Sequence, residues 1–526
     1  MSVKRNRGDH RRNVHDPARI FPRYHPMTAA AHAQVAGPAW CEPGLDLSGG
    51  RYPLSVESSV MGMVDTLVPG VSTLTRLVRY YSLYWALADI AGRRGWDAEK
   101  CQTVLRCSEV ALALVSRGNE IAAHGGDRVA SLLDSGRVDE LAELGRGSYS
   151  PRAWGFWSQY SGPSAVMGTV AVEDGALRPG RRDCPVAVRQ MYAPLLATAA
   201  DRPIRPEEAI DLAEVAMDAT GTADLGPLRD LFTATRDGLH LPADWTGDDR
   251  TRRSTLRILA RSAQLEPTAS TWSDALYLSV AYGGRISTDP VLGGEQRASA
   301  WRGTLLRRLS VGAWRRLWAE LVSEVSMNGS ATKDDLHEWI SAEATAVTVQ
   351  DFVASWPALV DDENEPSPAE QQLWAEHPPV LADLAVLLAG GRRKEQLTGR
   401  SRAAFLGRYP ERKQFLDPNW VANRHREHAS GTMAELARSL VDDMLAQSRR
   451  VALRKLKFDT HGRMKLFTKL HERNGRYYAV GAEGAGNVGL RVEQLEFMAG
   501  QLGFTEPSGD RLVITPLAET LLDLHT

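Results

Sequence analysis

Apolar side chains recur three and four residues apart along most of this chain, and the rhythm breaks at a few stretches rich in glycine, proline and aromatic residues. Such spacing puts an apolar stripe on one side of a helix. It predicts a helical region from about Val56 to Leu144. The clearest helix there is expected to begin after Pro69-Gly70, with Ser72 or Thr73 as its cap. Leu74, Leu77, Val78, Tyr81, Trp85 and Ala88 then share a side, and Gly92 is the expected stop. From Ser148 to Pro185 the pattern lapses, and two short alternating runs around Asp174-Gly175 read as a hairpin. From Val186 to about Ser430 it is helical again, most strongly over 250–265, 301–325 and 378–391. Thr332 and Asp335 form a capping box before a further helix, and 361–368 reads as a solvated acidic loop.

The last hundred residues differ. Thr432 and Glu435 make another capping box. The helix after it carries Leu436, Leu440, Val441, Met444 and Leu445 on one side. An alternating run over 464–480 contains Asn474-Gly475, a strong hairpin signal. Val492 to Leu502 reads as a short amphipathic helix and 504–515 as strand, turn and strand. Thr515-Pro516 starts a final helix. Helix, hairpin and closing helix resemble the wing of a winged-helix domain. The expected fold is therefore mainly α and multi-domain, with a small α+β winged-helix-like C-terminal domain. The divisions are a basic mobile arm (1–50), an N-terminal helical domain (51–147), a Gly/aromatic-rich hairpin insertion (148–185), a central helical domain (186–430) and the C-terminal domain (431–526). At 526 residues, more than one domain is the ordinary outcome.

Charge adds the main functional lead. The chain has a net charge of −2, yet 449–476 holds ten Lys or Arg against Asp459 and Glu472. Four of the chain's nine lysines fall there. Such a concentration of positive potential suits polyphosphates. Arg449, Arg450 and Arg454 lie about a helical turn apart, so one shared face is expected; Lys455 and Lys457 follow. Lys465 and Lys469 are expected to alternate onto one face of a strand. A solvated face paired with acids elsewhere, or an acidic protein partner, would produce the same charge run.

Other motifs carry less. Gly484, Gly486 and Gly489 match G-x-G-x-x-G, but too little chain follows for a βαβ unit, so a connector is expected. His425 and His428 lack a third ligand at a usable spacing, and Asp442-Asp443, as helix neighbours, point apart. No metal site, cofactor or catalytic residue is assigned. The four cysteines are scattered, as in a reduced cytoplasmic setting. No apolar run reaches the roughly 18–20 residues of a membrane span, and the basic N-terminus is not read as a secretory signal.

The block 67–85 combines Pro69-Gly70, Ser72, Thr75-Arg76 and Arg79-Tyr80-Tyr81. It resembles a Pro-Gly-x-Ser/Thr, Thr-Arg, Arg-Tyr-Tyr/Phe signature of uncharacterised bacterial proteins often encoded near phage-defence genes, and 377–388 is a looser echo. That resemblance implies a setting, not an activity. From the residues themselves, Arg76, Arg79 and Tyr80 are either an arginine–tyrosine edge of a core helix or a contact for a phosphate or a partner's carboxylate. Three functions follow. The first is a non-enzymatic component of a bacterial antiviral system that associates with nucleic acid, DNA before RNA. The second is an adaptor for proteins encoded by neighbouring genes. The third is a nuclease or other enzyme without a linear motif.

Overall fold

The computed structural model describes residues 45–407, 415–458, 464–508 and 511–525. It is mainly helical, and its strands, among the described residues, fall in four small sheets. Most of the expected N-terminal arm (1–44) lies outside the described residues. Its last residues form strand β1 (Leu45–Ser48), which runs parallel to a strand near the other end of the chain, Asp46 lying opposite Lys465.

Helix α1 (Ser58–Leu67) is followed by the Pro69-Gly70 turn, but α2 (Arg79–Arg94) starts nine residues beyond Gly70, with Val78 at its N-cap and no side-chain cap. The reason is local. The Thr75 hydroxyl accepts from the Ser72 amide at 2.8 Å, and the Ser72 hydroxyl accepts from the Leu74 amide at 3.2 Å. These bonds divert the backbone from a helix, and Leu74 is left exposed. The end is displaced as well. Gly92 lies inside α2, where a Cβ would stand 2.7 Å from Pro179 Cδ. The left-handed residue that stops the helix is Gly95, with φ of 63°.

Helix α3 (Ala98–Val115) packs beside α2. Segment 148–185 then supplies a helix not expected from the sequence, α4 (Trp157–Met167), and the anticipated hairpin of β2 (Val170–Glu173) and β3 (Ala176–Pro179). Asp174 and Gly175 both have positive φ, the twist a two-residue hairpin turn needs. Trp157, Tyr160 and Met167 are buried, so this segment is built into the interior. Glu109 of α3 is enclosed there with Tyr84 and Tyr149.

The arginine-rich helix α5 (Gly247–Leu265) places two of its arginines inside. Arg252 is fully buried and meets the equally buried Asp249 at 2.8 Å, and Arg253 donates to the carbonyl of Thr233. The 32-residue α6 (Gln296–Met327) is the spine of the second half, with Trp301, Trp314 and Trp318 buried along it. A single network of buried side chains runs from Leu54 to Leu524 and crosses the boundaries drawn from the sequence at 147/148, 185/186 and 430/431.

After α6 come β4 (Ala331–Thr332) and α7 (Lys333–Glu343), the latter capped by the expected Thr332–Asp335 box. The Thr432–Glu435 box likewise opens α8 (Met433–Arg454). Strands β5 (Lys457–Phe458), β6 (Met464–Phe467), β7 (Leu470–Arg473) and β8 (Arg476–Ala479) follow. They divide between two sheets, β1-β6-β5 and β4-β8-β7. Asn474-Gly475 forms the tight β7–β8 turn, both residues at positive φ. Helix α9 (Val492–Gln501), the hairpin of β9 (Thr505–Ser508) and β10 (Arg511–Ile514), and α10 (Pro516–Leu521), capped by Thr515, close the chain.

Candidate nucleic-acid interface

Helix α8 buries Leu436, Leu440, Val441, Met444 and Val451 and turns its basic end outward. Cations suit that end because the last carbonyls of the helix carry partial negative charge. Between the C-terminal half of α8 and strands β6 to β8 lies a cleft of ≈ 590 Å³. Leu445, Ala452, Leu466, Leu470, Trp318 and Tyr477 form its apolar walls. Burial, with Glu472 and Asp442 nearby, pushes the Tyr477 hydroxyl pKa up.

The basic strip divides around this cleft. Arg449 is 75% exposed at its rim and 3.4 Å from Glu472. Arg450 is exposed and lies 4.6 Å over the Phe415 ring, while Arg454, also exposed, donates to the Ser55 hydroxyl at 3.1 Å. Arg450 and Arg454, four positions apart, lie within about 40° of each other on one side of α8, while Arg449 is turned about 100° from Arg450 toward the cleft, so the face expected to hold all three holds two of them. Lys455 is tied to the backbone carbonyls of Arg51 and Tyr52, and burial beside Arg454 lowers its ammonium pKa. Lys457 is exposed on β5, directly opposite Lys465 of β6. Lys465 is neutralised in part by Asp46 at 3.4 Å.

Lys469 is not on the strand of Lys465. Strand β6 ends at Phe467, the Thr468 amide donates to the Ser48 carbonyl at 3.0 Å, and β7 begins at Leu470. Lys469 instead donates to the Ala482 carbonyl and lies 3.9 Å from Glu483. On the neighbouring hairpin Arg473 and Arg476 face each other. Arg476 is held by the Ser330 hydroxyl at 2.9 Å, and Arg473 is exposed. Arg463 and Asp459 lie outside the described residues. The outward cations are therefore Arg449, Arg450, Arg454, Lys457 and Arg473. Lys455, Lys465, Lys469 and Arg476 bind parts of the fold together.

The arginine–tyrosine block disperses too. Arg79 is 2% exposed, and its guanidinium donates to the carbonyls of Glu214, Ala216 and Ala219 and to Thr222 and Asp224. Tyr80 is fully buried among His124, Tyr160 and Tyr84. Arg76 precedes α2, is exposed, and stacks 5.2 Å over Phe497. The interior reading of Arg79 and Tyr80 is the one their surroundings match.

Asp442 and Asp443 diverge as helix neighbours must. Asp443 is buried under Arg424, at 2.8 Å, and the Trp420 indole. Asp442 meets Lys333 at 2.9 Å and His337 at 2.8 Å, a trio that clamps α7 to α8 beside the cleft. Sequence reasoning missed this trio. The i, i+4 spacing of Lys333 and His337 was visible, but nothing local points to an acid about a hundred residues away. The Gly484–Gly489 stretch forms neither helix nor strand and docks on α6, with Arg308 donating to the Val488 carbonyl at 2.6 Å. Among the described residues no three His, Cys, Asp or Glu side chains are grouped to hold a metal, and no helix is long and apolar enough to cross a membrane.

Comparison with protein-family models, with curated proteins and with solved structures finds no match.

Proposed function

We propose that this chain associates with nucleic acid, DNA before RNA, through the basic end of α8 and the two hairpins that follow it, and that it serves as a non-enzymatic component of a bacterial antiviral system. The observation that carries the reading is the grouping of Arg449, Arg450, Arg454, Lys457 and Arg473, all exposed, on the basic end of one helix and the two hairpins that follow it. Like charges face each other there, as Lys457 and Lys465 do. Asp46, 3.4 Å from Lys465, offsets that repulsion in part, and Lys457 keeps its charge exposed. The antiviral setting rests on the resemblance of the 67–85 block.

Connectivity supports the same reading. A helix (α6), a short strand (β4), a second helix (α7), a later helix (α8) and a hairpin (β7–β8) follow in order, and β4 pairs with the second hairpin strand to give the order β4-β8-β7. We read this order as resembling that of a winged helix, with β7–β8 in the wing's place instead of the 504–515 hairpin expected from the sequence, although further helices separate α7 from α8. In this chain it draws β4 and α7 from the region assigned to the central domain. Contacts of this kind position a phosphate backbone and supply affinity, not sequence preference.

The test is a polarisation titration of labelled DNA at several salt concentrations, with the full chain and an Arg450→Glu/Lys457→Glu/Arg473→Glu variant. The wild type should lose affinity steeply with salt, each phosphate neutralised contributing about −0.9 to the slope on duplex. The variant should bind more weakly with a shallower slope. Equal affinity and slope for the two proteins would overturn the reading.

A further inference from the structure

Glu57, Trp318 and Glu483 come from distant parts of the chain and line one small cavity, together with Pro53, Leu54 and Arg315. Glu57 is the N-cap of α1, Trp318 lies on α6, and Glu483 stands between β8 and the glycine-rich stretch. Each carries one buried polar atom with no hydrogen-bond partner among the described residues. These are Glu57 Oε2, Trp318 Nε1 and Glu483 Oε2. Glu57 is 3% exposed and Trp318 1%. Buried polar groups in folded proteins are nearly always paired, because an unpaired one forfeits its hydration.

The charged groups around the cavity do not supply those partners. Arg315 Nε lies 3.8 Å from Glu57 Oε1, and Lys469 lies 3.9 Å from Glu483 Oε2, both too far for a hydrogen bond. Glu483 Oε1 accepts from the Gly484 amide at 3.2 Å, which leaves Oε2 free. Burial pushes the Glu57 pKa up and neighbouring Glu483 adds to the rise, while Arg315 and Lys455 oppose it. The positive charges therefore balance the two carboxylates at a distance, and what each carboxylate lacks is a donor in contact.

Size and hydrogen-bonding pattern together select the occupant. The cavity measures ≈ 10 Å³, room for about one water. The three atoms are one donor, the indole N–H, and two acceptors. An anion would meet two carboxylates. A metal or ammonium ion would turn its positive charge toward the indole N–H. A water has what the three atoms lack: a lone pair for the indole and two O–H groups for the carboxylates.

We propose that this cavity is a site for one ordered water, which accepts from the Trp318 indole and donates to Glu57 and Glu483. The water ties the N-cap of α1 and the chain after β8 onto α6. It also gives a reason for the inward turn of Lys455 and Lys469, the two lysines of the basic strip whose charges offset this pair of acids. Nucleic-acid binding plays no part in it.

The experiment uses the full chain. A crystal structure should place one water in the cavity, within hydrogen-bond distance of Trp318 Nε1, Glu57 Oε2 and Glu483 Oε2. In solution, isotope-labelled tryptophan reports on the same contact. The Trp318 indole proton, assigned by its loss in Trp318→Phe, should show a nuclear Overhauser effect to a long-lived water. Glu57→Met/Glu483→Met keeps side-chain length and removes both acceptors, and the effect should disappear. A cavity that holds no water in the crystal would overturn the proposal. So would a direct bond from the indole to a protein group, or an indole–water effect that survives in the methionine variant. If that variant does not fold, the crystal structure and the indole signal of the wild type decide between the same outcomes.

Discussion

Glu109 offers a test of how this interior is held together. Its carboxylate is fully buried on α3. It accepts from the hydroxyls of Tyr84 and Tyr149, each at 2.5 Å, and from the amides of Phe156 and Trp157 at 2.9 and 3.0 Å. It therefore anchors the N-terminus of α4 to α3. Burial pushes its pKa up from the ordinary 4.5 to about 7, and the four donors only partly offset that. The folded chain then keeps a proton that the unfolded chain releases, so stability falls as pH rises from about 4.5 to 7. At about 1.4 kcal/mol per pH unit, the fall is about 3 kcal/mol. Glu109→Gln keeps the volume and removes the titration. It turns one acceptor into a donor, which costs about 1–3 kcal/mol at low pH. Urea unfolding of both proteins at pH 5 and pH 8 measures the effect. The advantage of the wild type at pH 5 should shrink by about 2.5 kcal/mol at pH 8, to the point of reversal. His124, held neutral by burial with its pKa near 4, is common to both proteins and largely cancels in the comparison. A gap that stays constant or widens with pH would refute the reasoning, because it would mean that the four donors outweigh burial and hold Glu109 ionised.

Arg79→Met leaves the carbonyls of Glu214, Ala216 and Ala219 and the buried Asp224 without their donor. A loss of about 3–5 kcal/mol is expected in denaturant unfolding, and a loss below about 1 kcal/mol would contradict the interior role given to this arginine. Gly92→Ala drives a methyl group to 2.7 Å from Pro179 Cδ. It should destabilise the chain by about 1–3 kcal/mol despite the better helix propensity of alanine, and a gain in melting temperature would show that the α2–β3 contact yields easily. Thr432→Ala removes the hydroxyl that accepts from the Glu435 amide at 3.2 Å. It should cost about 1 kcal/mol, and Thr432→Ser should restore most of it.

Features closed by a few neighbouring residues were legible in the sequence. The capping boxes at Thr332 and Thr432, the turns at Asp174-Gly175 and Asn474-Gly475 and the Thr515-Pro516 helix start all stand where the residues place them, because each is completed within about four positions. The bounds of α2 were not legible. A pair of hydroxyl hydrogen bonds delays its start, and Pro179, far along the chain, requires Gly92 to lie within it.

The basic strip marks the same division. Its composition announced a local surplus of charge, and its place at the end of a capped helix followed from periodicity. Which of its cations face outward depended on groups that no local pattern reveals. Asp46 reaches Lys465 through a parallel strand, Ser330 reaches Arg476 across 146 positions, and the carbonyls of Arg51 and Tyr52 take up Lys455. Local hydrogen-bond geometry and side-chain period are properties of a short segment, so the sequence alone determined the elements. Burial and ion pairing depend on what the rest of the chain brings alongside, so only the tertiary structure decided which charges brace the fold and which face outward.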